Sequence, residues 1–228
     1  MKRSKTKRYD HGTRARLLEV AGQVFAEKGF AGATGKEICR RAKVNVAAIN
    51  YHFRGLDSLY DAVLKEAVGR LPSAAMLRTV LSGETDSKAK LAAILDFASK
   101  AISGPLSSSW VIRVVGREAV NPSPAFVALQ KKETRPKLLL LKDVIAEIMG
   151  LPPGHPAVER GCVSVIAPCS LLLLGKRYWL KRVFPHFGFE PEDAGALSRH
   201  LTQFSLAGLA AIAASAKDAN ASDRLGSV

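Results

Sequence analysis

Ala47, Ala48, Asn50, Tyr51 and Arg54 lie within eight positions of one another, and their side chains suit the reading of a nucleic-acid groove. In a helix, at about 100° per residue, Ala47, Tyr51 and Arg54 share one side, with Ala48 and Asn50 beside them. Ile49 and Phe53 point the opposite way, toward a core. Small alanines let a helix backbone enter a major groove and touch a thymine methyl, and an asparagine amide can pair with a base edge. The Tyr51 phenol and the Arg54 guanidinium can reach phosphates, and His52 sits at the flank for a further backbone contact. Lys36 and Lys43 add charge nearby. Residues 1–54 hold 13 Lys/Arg against 4 Asp/Glu, in a chain of 228 residues with net charge +14 and pI near 10.0. Such a balance favours a polyanionic partner, nucleic acid before membrane, because neutralised phosphates release their counterions.

Other residues invite other chemistry. Trp110, Arg113 and Arg117 share a helical face at i, i+3 and i+7, with Phe126 close behind. An indole beside guanidinium groups suits an aromatic or anionic small molecule; core packing for Trp110 and a solvated face for the arginines is the competing assignment. His155, Cys162 and Cys169 repeat at seven residues, about 10.5 Å apart along a helix. That separation excludes one shared zinc and an intrahelical disulfide. Three cysteines make no disulfide framework, and burial is their default. The chain has no Gly-rich phosphate loop, no HExxH and no nucleophile elbow, and His52, His186 and His200 lack a paired acid and nucleophile. Neither a catalytic residue nor a metal or cofactor is expected.

The elements that must position these residues are helical. Residues 1–12 read as a basic, flexible arm without the apolar stretch of a secretory signal. Leu17, Leu18, Ala21, Val24 and Phe25 then recur on one buried helical face, which Gly29 ends. Thr34-Gly35-Lys36-Glu37 has the form of a capping box opening a short helix with Ile38 and Ala42 inward. Asn45 is suited to cap a further helix over roughly 46–53. Two short helices joined by a tight turn behind a longer one make a helix-turn-helix. Apolar helical segments follow to about residue 216, broken by Gly104-Pro105, Pro122, Pro152-Pro153-Gly154, Pro185 and Pro191, with no strand alternation. The longest apolar run, 162–175, contains Pro168 and is too short to span a bilayer. The expected fold is all-α: an N-terminal three-helix helix-turn-helix domain at 13–55, a larger helical domain at 56–217 and a frayed tail at 218–228.

Residues 13–60 resemble the DNA-binding domain of TetR-family transcriptional regulators, through the helix, Gly-aromatic turn, Thr-capped helix and "NYHF" end of "LLEVAGQVFAEKGFAGATGKEICRRAKVNVAAINYHFRGLDSLYDAVL". The resemblance implies that Thr34, Tyr51 and His52 contact the DNA backbone and that Val46, Ala47, Ala48 and Asn50 approach bases. Two positions depart from the pattern. The family's Lys after the Phe is absent from Arg54-Gly55-Leu56-Asp57, leaving Arg54 as its replacement. Lys43 stands where a Gly is frequent, adding a candidate phosphate contact while straining any left-handed turn. Residues 110–141, with their Trp, Arg-Glu pair, "NPSPA" turn and "RP", resemble a CerR-like ligand-binding domain.

The chain reads as a soluble, cytoplasmic protein, and the resemblance implies a homodimer on a near-palindromic double-stranded operator, acting as a repressor and released by a small-molecule effector, for whose pocket Trp110, Arg113, Arg117 and Phe126 are the candidates. Apolar character on more than one face of segments 156–183 and 191–216 points independently to a partner copy there. No membrane partner is expected. The alternative from another class is a helical adaptor whose basic end binds an acidic protein or an anionic membrane without sequence preference.

Overall fold

The computed structural model describes the backbone of residues 3–84, 86–175 and 177–225 and the side chains of 12–84, 86–175 and 177–218. Among the described residues all regular structure is helical: α1 (Arg3–Gly32), α2 (Gly35–Ala42), α3 (Ala47–Phe53), α4 (Leu56–Gly69), α5 (Ala74–Ser82), α6 (Ser87–Ser103), α7 (Trp110–Val120), α8 (Pro124–Leu129), α9 (Arg135–Met149), α10 (Pro156–Leu174), α11 (Arg177–Val183) and α12 (Ala194–Leu225). The chain forms two compact units: residues 1–72 with 108–132, and residues 73–107 with 133–228.

In the first unit α1 supplies the face read from the sequence, with Leu17, Ala21, Val24 and Phe25 buried. Its helical path breaks at Gly29, whose φ of 73° is open to glycine at little cost. The helix starts earlier than Thr13, since the backbone of residues 3–12 already belongs to α1. α2, α3 and α4 close the core with Ile38, Ile49, Phe53, Leu59 and Val63. α7 and α8 belong to this unit although residues 73–109 separate α7 from the end of the first stretch at Pro72; Val111 and Val114 of α7 and Phe126 of α8 are buried.

The second unit has its own core, built from Leu91, Leu95, Ile102, Ile145, Val158 and Phe189 among others. Two segments expected to be continuous are divided. Residues 123–150 become α8 and α9 with a π turn, Gln130–Thr134, between them. Pro136 follows at the start of α9; a proline inside a continuous helix lacks the N–H for its i−4 bond, and the widened turn meets that defect. Residues 156–183 become α10 and α11 with Gly175 at the break. A Cβ there would lie 2.4 Å from the Leu171 carbonyl oxygen, so this end of α10 requires glycine. α10, at 19 residues, is long and apolar enough to cross a membrane by length and composition alone, and it carries buried faces toward the unit's core at Ala157, Val158 and Val165. α12 continues to Leu225, through most of the segment expected to fray, and residues 226–228 lie outside the described ones.

Candidate nucleic-acid interface

α2 is held at its start by the Thr34 hydroxyl, which accepts the Glu37 amide at 3.3 Å. Only that half of the capping box forms. The Glu37 carboxylate does not return to the helix start; it takes Lys28 at 2.6 Å and Arg41 at 2.8 Å, and Arg41 also reaches Glu27 at 2.8 Å. Charged donors offer a carboxylate more than a single backbone amide does. The resulting clamp fixes α2 against α1, and the Lys28 ammonium, seconded by Arg41, holds the Glu37 carboxyl below the usual carboxylate range.

The turn between α2 and α3 is set by short-range chemistry. Lys43 ends α2 in the left-handed region (φ 54°, ψ 46°), its amide and that of Val44 bonding back to the Arg40 and Cys39 carbonyls. Asn45 Oδ1 then accepts the Ala47 amide at 2.9 Å, the bond expected of a cap for a helix entered at 46. α3 ends on a second left-handed basic residue, Arg54 (φ 65°), whose amide bonds to the Asn50 carbonyl. Both helices of the motif therefore finish on a cation in a conformation that costs a non-glycine residue about 1–2 kcal/mol.

Between these caps α3 buries Ile49 and Phe53, with the Arg14 guanidinium 5.0 Å over the Phe53 ring. Gly35 is so close that an added Cβ would sit 3.3 Å from Ile49 Cδ1. The opposite face is open: Val46 is 58% and Tyr51 75% exposed, and Ala47, Asn50 and Arg54 are exposed beside them. Ala48 and His52 are half-buried, the His52 ring meeting Tyr51 edge-on at 4.9 Å. Thr34, Lys36 and Lys43 are exposed on the α2 side. A face of small residues, one amide and a phenol, bordered by cations, can enter a groove and bind its phosphates.

Of the four residues grouped as an effector pocket, Trp110 and Arg117 make contacts to α1. Trp110 is 5% exposed, and its indole N–H donates to Glu19 on α1 at 2.7 Å. Its ring covers Gly22, where a Cβ would meet it at 2.5 Å, and Arg70 lies 5.0 Å over the ring while pairing with Glu19 and Glu66. Arg117 donates to the carbonyls of Ala26 and Glu27, beside the break at Gly29. Phe126 is buried and Arg113 exposed. Trp110 and Arg117 thus fasten α7 to α1.

A third fastening went unread in the sequence. Buried Glu118 accepts from the Tyr60 hydroxyl at 2.6 Å and from both the amide and the hydroxyl of Ser123 at 2.8 and 2.7 Å, tying α4, α7 and the start of α8 together. Burial first, and then the Glu118 carboxylate, push the Tyr60 phenol above its ordinary range. His155 caps α10, its Nδ1 accepting the Ala157 amide at 3.1 Å, and Cys169 donates to the Val165 carbonyl. Burial raises the thiols of Cys162 and Cys169. Among the described residues no group of three His, Cys, Asp or Glu side chains is placed to hold a metal ion.

This arrangement defines a helix-turn-helix DNA-binding protein. Residues 17–63 match the family described as bacterial regulatory proteins, tetR family, and residues 88–209 match the C-terminal domain of the HTH-type transcriptional dual regulator CecR. The chain belongs to the TetR family of transcriptional regulators, with a C-terminal domain of the CecR type where the sequence suggested a CerR-like one. It is 24% identical to the HTH-type transcriptional regulator BetI of Escherichia coli O157:H7 over 82% of this chain and 90% of BetI. It is 39% identical to the probable HTH-type transcriptional regulator YttP of Bacillus subtilis over 24% of this chain and 26% of YttP. Its fold is similar to that of the ketosteroid transcriptional regulator KstR2 of Mycobacterium tuberculosis (TM-score 0.63, 18% identity, 86% of this chain and 93% of that one). It is also similar to FadR of Bacillus subtilis, solved in complex with stearoyl-CoA (TM-score 0.58, 14% identity, 82% and 97%).

Proposed function

We propose that this regulator is a cytoplasmic repressor that binds a near-palindromic operator as a homodimer and is released by a small organic effector. The observation that carries the reading is the exposed face of α3 between two basic left-handed caps, with Ile49 and Phe53 anchoring its back. Ala47, Ala48 and Val46 approach bases, Asn50 pairs with a base edge, and Thr34, Lys36, Lys43, Tyr51, His52 and Arg54 hold phosphates. Dimerisation is supported by large apolar side chains left exposed on α10–α12, among them Val163, Leu171, Trp179 and Phe204. Effector release follows by linkage, a ligand favouring subunit arrangements in which the recognition helices no longer match the half-site spacing. The same fold in FadR, with its stearoyl-CoA, supports an organic ligand for the helical domain.

Footprinting on the DNA flanking the gene, with the subunit count per site taken from mass photometry, tests this reading. Two subunits, or a multiple, on a protected near-palindrome with half-sites about 34–36 Å apart are expected. Asn50→Ala should keep the footprint's size while relaxing preference at one base pair per half-site, by about 1–3 kcal/mol. One subunit per site, or protection without symmetry, would overturn the dimeric reading.

A further inference from the structure

Two hydroxyls in the core of the second unit have no partner. Ser99 is 0% and Ser103 4% exposed, and the Oγ of each is buried without a hydrogen bond. They lie one turn apart on the face of α6 that also buries Leu91, Leu95 and Ile102. Leaving a buried hydroxyl unsatisfied destabilises the fold, and alanine at either position would avoid that loss. The Arg177 guanidinium, from α11, meets the C-terminal end of the same helix. It donates to the carbonyl of Ile102, the residue before Ser103, and to the Ser107 hydroxyl, and its centre lies 5.3 Å from the ring of fully buried Phe189. The C-terminal end of α6 therefore gathers two unused hydroxyls and one cation within apolar surroundings.

Resting on the effector reading above, we infer that this end of α6 is the effector's polar subsite, and that the effector is an organic anion with an apolar body and a carboxylate at one end. The ligand class follows from the groups present. A hydrocarbon would leave both hydroxyls unpaired, and an amine would oppose Arg177. A carboxylate accepts from Ser99 and Ser103 while Arg177, which has five N–H donors, balances its charge. The apolar body replaces side-chain contacts in the core formed by Leu95, Ile102 and Phe189.

Calorimetry and thermal unfolding of the full chain with decanoate and 2-naphthoate, against decanol and decylamine, test the inference. At least one carboxylate should bind and raise Tm, with decanol weaker and decylamine inert. The Ser99→Ala/Ser103→Ala double variant should unfold at a higher temperature without ligand and lose tenfold or more in carboxylate affinity. Arg177→Gln should lose a similar factor, and it reports independently should either chain fold poorly. Binding by neither carboxylate, or variants that bind like the wild type, would overturn the inference. Operator binding measured alongside separates the two readings. Carboxylate binding without operator release leaves the subsite standing and removes the effector role; operator release by an uncharged ligand with unchanged affinity in the serine variant retains the effector role and removes this subsite.

Discussion

Lys43 and Arg54 show how single residues balance fold against function. Each occupies a left-handed cap where glycine would be less strained, and each presents a cation at an end of α2 or α3. Lys43→Gly and Arg54→Gly should each leave stability unchanged or raise it by about 1 kcal/mol, read by urea unfolding. Both should weaken operator binding for all sequences alike and lower the salt slope by about one, read by titration at several salt concentrations. A loss of stability together with unchanged binding would show that the side chains serve packing instead. The caps at Thr34, Lys43 and Asn45 were legible in the sequence because each acts on backbone two to four residues away. Glu37 was only half legible: its spacing from Thr34 suggested the capping box, but its carboxylate answers to Lys28 and Arg41, and a charge nine residues away on another helix leaves no local pattern.

At the scale of elements, two of the attachments within the first unit respond to different perturbations. The clamp of Lys28, Glu37, Arg41 and Glu27 is electrostatic. Because Glu37 is depressed in the folded chain, its contribution is fully present above the unfolded carboxyl's pKa of about 4.3 and is lost as pH falls through the lower folded value. Glu37→Gln should therefore lower Tm at pH 7 and converge on the wild type as the pH falls below the folded value; a deficit that stays constant as the pH falls would assign Glu37 to packing. The attachment of α7 to α1 is steric and aromatic. Glycine to alanine inside a helix ordinarily stabilises by up to about 1 kcal/mol, but at Gly22 the new methyl would press into the Trp110 ring, which Glu19 and Arg70 hold in place. Gly22→Ala should cost about 1–3 kcal/mol in denaturant unfolding, and Trp110→Leu should recover part of that loss. Apolar periodicity made the helices themselves readable. The docking of α7 was not, because Glu19 and Trp110 are 91 positions apart and the same i, i+3, i+7 face serves a pocket or a packing surface equally well. The π turn at 130–134 was missed for a related reason: the residues there continue the helical pattern, and Pro136 alone marks the change.

The whole molecule carries a basic reading head followed by a helical domain of the CecR type. The charge of residues 1–54 was visible in composition, and so was the surplus of apolar faces on segments 156–183 and 191–216. The division into compact units was not, since α7 and α8 return to the first unit after the chain has built α5 and α6. Phe204, 68% exposed on α12, is the sharpest probe of dimerisation. Phe204→Glu should keep the helical content, shift the protein to monomer in sedimentation, and weaken operator binding at least tenfold; a dimer that persists would place the interface elsewhere. The central claim is sequence-specific DNA recognition by α3, and fluorescence anisotropy on the duplex flanking the gene tests it most directly. The account predicts tight binding at two salt concentrations that survives an excess of unrelated duplex of equal length and is lost in a chain carrying Asn50→Ala and Tyr51→Ala. Equal displacement by either duplex, with the double variant binding like the wild type, would contradict it.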